Sequence, residues 1–317
     1  MRNRLNHNDV SNQINVEDAE QVRDAICALY DERYPGLDLT PLRRAFADVP
    51  AMFAGRYPGY LACDTLYHDL RHTLDISLAL ARLVDGHDRN SVAPDRLGRR
   101  RAVLGVIIAL LHDIGYLRRI PEGHVRNGAV FTKSHVSRSA DFISHYLPTI
   151  GFGPEASIAA QLVHFTGYEK PLDEIVVDDP RDRLLGCMVG TADLIGQMSD
   201  RMYLEKCRDF LYEEFVWGKI ARETLPDGHE IVRYASPEDL MFKTPGFYEQ
   251  VVRDRIDHKL GGVERYATAH FGGEPLYQWE IDSNMGFLRD AIASDELESR
   301  LRRACYSLSA RPGATTQ

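Results

Sequence analysis

The chain has 317 residues, with 38 Lys and Arg against 47 Asp and Glu, a net charge of −9 with histidines neutral. That balance argues against a protein that tracks a nucleic-acid polymer, and leaves room for a small anionic ligand in a locally basic pocket. The five cysteines (Cys27, Cys63, Cys187, Cys207, Cys305) form no Cys-x-x-Cys and "MRNRLNHNDVSNQ" lacks the apolar stretch of a signal peptide, so the expectation is a cytoplasmic protein with reduced thiols.

Residues 1 to 15 are polar and read as a flexible N-terminus. Apolar residues then recur at helical spacing from Val16 to Tyr34 and from Thr40 to Ala54, with Pro35-Gly36 and Pro58-Gly59 as breaks. Asp64 reads as the N-cap of a long helix running to about Gly86. The following "GHDRNSVAPDR" reads as a loop, which makes His87-Asp88 solvated surface. The run from Ala102 to Leu111 is apolar on every side, the pattern of a buried central helix, and too short to span a bilayer. After a loop with Pro121 and Gly123, helical patterns recur over 134–147, 155–166, 181–198 and 200–223. Beyond Pro226 they weaken, returning at 245–260 and 283–308. "DEIVVDD" and "HEIVRYA" are too isolated to build a central sheet. The expected class is all-α, with a helical domain over 16–198, a helical extension over 199–310 packed on it, and a flexible tail over 311–317.

"ALLHDIGY" ends the central run with His112 and Asp113. A carboxylate buried there needs protons, hydrogen bonds or a metal. In "LYHDLRHTLDISLALARL", His68, His72 and Asp75 share one helical stripe. Asp193 lies in the apolar "LLGCMVGTADLIG", His164 ends the apolar helix of "AAQLVHFTGY", and His135 opens "SHVSRSADFISHYL". Singly, each is as well explained as a core or capping residue. As a set, His72, His112, Asp113, His135, His164 and Asp193 can hold two divalent ions, with Asp113 suited to bridge them because a carboxylate has two oxygens.

The order His, His-Asp, Asp, read on His72, His112-Asp113 and Asp193, resembles the HD superfamily of metal-dependent phosphohydrolases. "YHDLRHTLDI" is similar to the Tyr-His-Asn-x-x-His-x-x-Asp segment of class I cyclic-nucleotide phosphodiesterases, with Asp69 where that segment usually has Asn. His135 and His164 resemble the additional ligands of dinuclear HD proteins, bacterial dinucleoside-polyphosphate hydrolases among them. The match covers residues 67 to about 198 and concerns the metal scaffold more than the substrate; there is no Gly-Tyr-Pro motif of the cyclic-di-GMP kind. The resemblance implies an HD-type helical bundle and hydrolysis of a phosphoester or nucleotide by a metal-activated hydroxide. It also implies His68 as general acid beside Asp113 in the catalytic group. Asp75 is expected to orient His68 or His72.

Mixed imidazole and carboxylate ligation suits Mn, Fe, Zn, Co or Ni. Lys133, then Arg118 or Arg119, are the expected phosphate contacts within the basic stretch after the His-Asp pair. The same inventory also resembles the mixed-valence di-iron oxygenases of the superfamily, and a non-enzymatic sensor or scaffold that kept the fold is a third reading. The expected partner is a small phosphorylated molecule such as a nucleotide, not a nucleic-acid polymer or a membrane. The amphipathic "DRMYLEKCRDFLYEEF" would pack on the core, close the pocket or form a homodimer surface.

Overall fold

The computed structural model describes residues 4–301. Helix α1 (Ala19–Arg33) begins where the Asp18 carboxylate accepts the Glu20 and Gln21 amides. Helix α2 (Thr40–Phe53) carries Pro41 in its first turn, where an N–H would have no helical partner anyway.

The next helix departs from expectation at both ends. Helix α3 (Leu70–Asn90) is capped by Asp69, not Asp64, and the Asp69 carboxylate accepts the His72 amide at 3.0 Å. Asp64 instead accepts the Gly128 amide at 2.8 Å and pairs with Arg118 at 2.7 Å, so it fastens a later loop. At the far end the helix continues past Gly86, and His87-Asp88, expected at the surface, is buried. Asp88 accepts hydrogen bonds from the Tyr34 hydroxyl and from the Leu97 and Gly98 amides, which satisfies the carboxylate and ties α3 to the chain on both sides of it.

Helix α4 (Gly98–Leu111) is buried at every position from Ala102 to Leu111, as its uniform apolarity predicts. It packs against α3 and α7 (Pro180–Ser199), and these three form the centre of the molecule. Helices α5 (His135–Tyr146) and α6 (Ala156–Leu162) pack against each other beside them.

Beyond Ser199, α8 (Tyr203–Lys206) passes through a π-helical turn, Cys207–Leu211, into α9 (Tyr212–Trp217). The helix expected to reach residue 223 stops at Gly218, after which Lys219 takes a φ of 55°. The chain then forms an antiparallel hairpin of β1 (Arg222–Thr224) and β2 (Glu230–Val232), with Arg222 opposite Val232. "HEIVRYA" thus finds a strand partner without making a central sheet. Helices α10 (Pro237–Phe247), α11 (Arg265–His270), α12 (Leu276–Ala293) and α13 (Leu297–Arg300) complete an all-α fold. The helix expected over 283–308 is interrupted after Ala293, and its end, Cys305 and the 311–317 tail lie outside the described residues.

The described part of the N-terminal segment is also not loose. Asn8 and Asn15 bridge, and Asp9 is buried, accepting the Gln13 and Ile14 amides and pairing with Arg82 of α3. The same guanidinium meets the Tyr277 hydroxyl at 3.0 Å and lies over the Phe271 ring, so one α3 side chain joins the two ends of the described chain. One buried apolar cluster takes in residues from Val10 to Leu301. No helix among the described residues is long and apolar enough to cross a membrane.

Candidate metal centre and adjoining cavity

His112 is the C-cap of α4 and Asp113 follows it, so the buried axis delivers both to its end. His72 stands in the first turn of α3, His135 is the first residue of α5, and Asp193 lies on α7. Their side chains converge. Asp113 Oδ2 lies 3.1 Å from His112 Nε2 and 3.3 Å from His72 Nε2, and Asp113 Oδ1 lies 3.7 Å from His135 Nε2. Asp193 Oδ1 closes the group, 3.5 Å from His72 Nε2 and 3.8 Å from His112 Nε2.

Close approach of α5 depends on Gly115. A Cβ at that position would lie 1.9 Å from the His135 carbonyl oxygen, an overlap no side chain tolerates. The Gly115 amide donates to Ser139 Oγ at 2.9 Å and its carbonyl accepts from Arg138, which locks the turn against α5.

The hydrogen bonds fix which histidine nitrogens are free. Nδ1 of His112 lies 2.7 Å from the Ala109 carbonyl, and Nδ1 of His135 lies 2.8 Å from the Thr132 carbonyl. A carbonyl only accepts, so each Nδ1 carries a proton, and in a neutral ring Nε2 presents a lone pair. His112 Nε2 and Asp113 Oδ2 are both buried and have no hydrogen-bond partner among the described residues, although they are 3.1 Å apart. Two unpartnered electron-pair donors facing one point make a costly arrangement in a folded core, and one suited to a cation.

The carboxylates make this point negative and so favour positive charge there, raising His112 as well as His72 against the effect of burial. Burial opposes ionisation of Asp113, yet His112 and then His68 and His72 hold its carboxyl well below the ordinary range. Burial likewise opposes a charged His72, but Asp113 and Asp193 push it up to about 10. The ligand-type atoms of His72, His112 and Asp113 all lie within 4.8 Å of one another, so this buried group could hold one metal ion. His135 and Asp193 flank it on the more open side.

The sixth expected ligand is His164, in the short turn that follows α6. His164 is buried, and its Nδ1 has no hydrogen-bond partner among the described residues; burial and Lys170 push the ring below its ordinary value. No ion-pair contact links it to Asp113 or Asp193 among the described residues.

His68 lies at the edge of the cluster, just before α3. Its ring stacks on Tyr116 at 4.5 Å between centroids, and the other face of the stack continues from Tyr116 to His135 at 4.3 Å. Asp75, expected to orient His68 or His72, does not hold His68. Its carboxyl is pushed up to about 6 by burial and by Asp200, its Oδ1 is unpartnered among the described residues, and it shares a small cavity with Arg71, His72, Asp200 and Lys206. The residue that holds His68 is Glu214 of α9, whose Oε2 is 2.5 Å from His68 Nδ1 and whose Oε1 accepts the Tyr67 amide at 2.6 Å. The stretch that carries Glu214 is the one expected to pack on the core, close the pocket or form a homodimer surface, with no catalytic part assigned to it. The signal was a carboxylate on the apolar stripe that Tyr203, Cys207 and Leu211 define at three- and four-residue spacing.

A cavity of about 700 Å³ opens above the cluster. His68, His135 and Asp193 line its inner end, while elements from Tyr203 to Val252 supply much of the wall. Lys133 lines it too, with Nζ 2.6 Å from Glu223 of the hairpin. Arg118 and Arg119 are not among its lining residues. Arg118 binds Asp64 and the Val125 carbonyl, and Arg119 binds Asp141 on another face. Both guanidinium groups are engaged by these partners.

A protein-family profile described as Npun_R2479-like matches residues 119–270. No curated protein matches the chain. Among solved structures, the phosphodiesterase domain of the RhoPDE fusion protein from the choanoflagellate Salpingoeca rosetta is similar at a TM-score of 0.55 and 15% sequence identity. The similarity covers 92% of this chain and 96% of that one. At that identity the likeness is one of architecture: the chain has the helical fold of a phosphodiesterase domain, and within it a buried His72, His112, Asp113 group that could bind a metal.

Proposed function

We propose that the protein is a metal-dependent phosphoric ester hydrolase of the phosphodiesterase type. His72, His112, Asp113, His135, His164 and Asp193 are the residues that would hold two divalent ions. When bound, such ions supply an activated water and neutralise phosphate charge. The observation that carries this reading is the adjacency of two units: a buried donor cluster with unpartnered lone pairs, and a histidine at its edge that is held by a carboxylate.

The second unit performs the part of the reaction that a metal does not. When an ester bond to phosphorus breaks, the departing alkoxide needs a proton. Glu214 keeps a proton on His68 Nδ1, fixes the ring's direction and provides counter-charge when the ring carries two protons. His68 Nε2 then serves as the donor to the leaving oxygen. Tyr116, stacked between His68 and His135, holds both rings against a buried wall and keeps water from that side. Lys133 contributes at the cavity wall, its charge already shared with Glu223.

The His68–Glu214 pair favours hydrolysis over an oxygenase reading, since a positioned proton donor has an evident use when an alkoxide leaves. The test is anaerobic turnover of bis(p-nitrophenyl) phosphate, p-nitrophenyl phosphate and a nucleotide panel by protein loaded with manganese or iron. Hydrolysis without oxygen is expected, and His68→Ala should lose turnover while retaining metal. Turnover that requires oxygen, with no anaerobic hydrolysis, overturns the reading.

A further inference from the structure

The cavity above the cluster has a chemical bias of its own. Its outer wall is built by Tyr203, Leu211, Phe215, Leu240, Phe247 and Val251, all from the part of the chain after α7. Phe247 and Val251 are each 39% exposed at the same time as they line the cavity, so its accessible margin is apolar as well. A volume of about 700 Å³ falls in the range that encloses a small organic molecule, far more than a phosphate group needs.

Most of the polar side chains in the lining are already engaged, the hydroxyls of Tyr168 and Tyr234 being without a hydrogen-bond partner among the described residues. Gln197 accepts from the Tyr67 hydroxyl at 3.1 Å and donates to Asp193 at 3.3 Å. The hydroxyls of Thr132, Thr166 and Thr244 each donate to a carbonyl of their own local turn, at 2.6, 2.8 and 2.9 Å. Glu169 accepts the Val136 and Ser137 amides at the start of α5. Lys133 and Arg233 share Glu223, at 2.6 and 3.4 Å. A sugar ring or a base edge placed against this wall would give up water for few free partners, and each unpaired group lowers affinity roughly tenfold or more. A hydrocarbon surface loses nothing there and gains by leaving water.

We infer that the cavity takes a phosphate ester whose alcohol is a bulky apolar group, with the phosphate at the His68, His135, Asp193 end and the apolar body along the Tyr203-to-Val251 wall. The assignment rests on the hydrolase reading for the phosphate end, and on the wall alone for the body. Both an alkyl chain and a fused ring meet this description.

Non-hydrolysable probes separate the possibilities. Octylphosphonate, 1-naphthylmethylphosphonate, methylphosphonate and the phosphonate analogue of adenosine monophosphate are titrated calorimetrically into manganese-loaded full-length protein. At least one of the first two should bind about tenfold or more tightly than both of the others; which one does so tells chain from ring. Phe247→Ser and Val251→Lys, at exposed positions where the fold tolerates change, should shrink that advantage at least about fivefold. Equal or tighter binding of the nucleoside phosphonate, or an advantage unchanged in both variants, overturns the assignment. Preference for an apolar phosphonate without hydrolysis of any ester overturns the hydrolase reading and leaves the wall's assignment standing. Hydrolysis without that preference does the reverse.

Discussion

Asp113 Oδ1 lies 3.7 Å from His135 Nε2, while its other oxygen faces His112 and His72 at 3.1 and 3.3 Å. One carboxylate thus serves donors from α3, α4 and α5, and its removal should empty the centre. Asp113→Asn should lower bound manganese or zinc at least about tenfold in elemental analysis after gel filtration, because the amide loses the charge and one acceptor. A variant that keeps the wild-type metal content would rule out Asp113 as the common ligand.

Glu214 should affect turnover through His68. Glu214→Gln keeps the volume of the side chain but weakens its hold on Nδ1, and turnover should fall about a hundredfold with metal content unchanged. Combined with His68→Ala it should add little further loss, since the two act as a unit. Losses that simply multiply would separate the two residues.

Gly115 sets the distance between the His-Asp turn and α5. Gly115→Ala places a methyl 1.9 Å from the His135 carbonyl and must push α5 away, at a cost of roughly 1–3 kcal/mol. Urea unfolding should report that loss, and the displaced His135 should weaken metal retention in the folded fraction. Wild-type stability in this variant would mean that α5 has freedom the packing denies it.

The Asp9–Arg82 pair should make the fold acid-sensitive. Burial raises the Asp9 carboxyl, but Arg82, Ser11 and the Ile14 amide outweigh it and bring the net value to about 2. A carboxyl depressed in the folded state contributes stability at pH values above its ordinary range near 4 and loses that contribution as pH falls toward 2. The contribution at neutral pH is about 2 kcal/mol. Asp9→Asn should therefore destabilise the protein at pH 7 and flatten the decline between pH 4 and 2, measured by denaturant midpoints across that range. An unchanged slope would show that the pair does not couple folding to protons.

Legibility in the sequence followed the range of the interactions. The α4 core was readable because uniform apolarity over Ala102 to Leu111 is a local property, and the His-Asp pair at its end was readable because a buried carboxylate is conspicuous there. The grouping of His72, His135 and Asp193 with that pair was legible from polar residues stranded in apolar helices or at helix ends, and the motif resemblance added to it. What stayed hidden depended on distant partners. Asp88 looked like surface until Tyr34 and the start of α4 supplied its donors, and Asp64 looked like a cap until Gly128 and Arg118 claimed it. Glu214 is 146 residues from His68, and no local pattern announces which histidine a carboxylate on an apolar stripe will reach.

That long connection has an evolutionary corollary. The carboxylate that aims His68 rides on α9, and Phe215, the very next residue, belongs to the cavity wall. A lineage that reshapes this helix to accept a new ligand also disturbs the delivery of the proton, so taste and reactivity in this molecule must be retuned together.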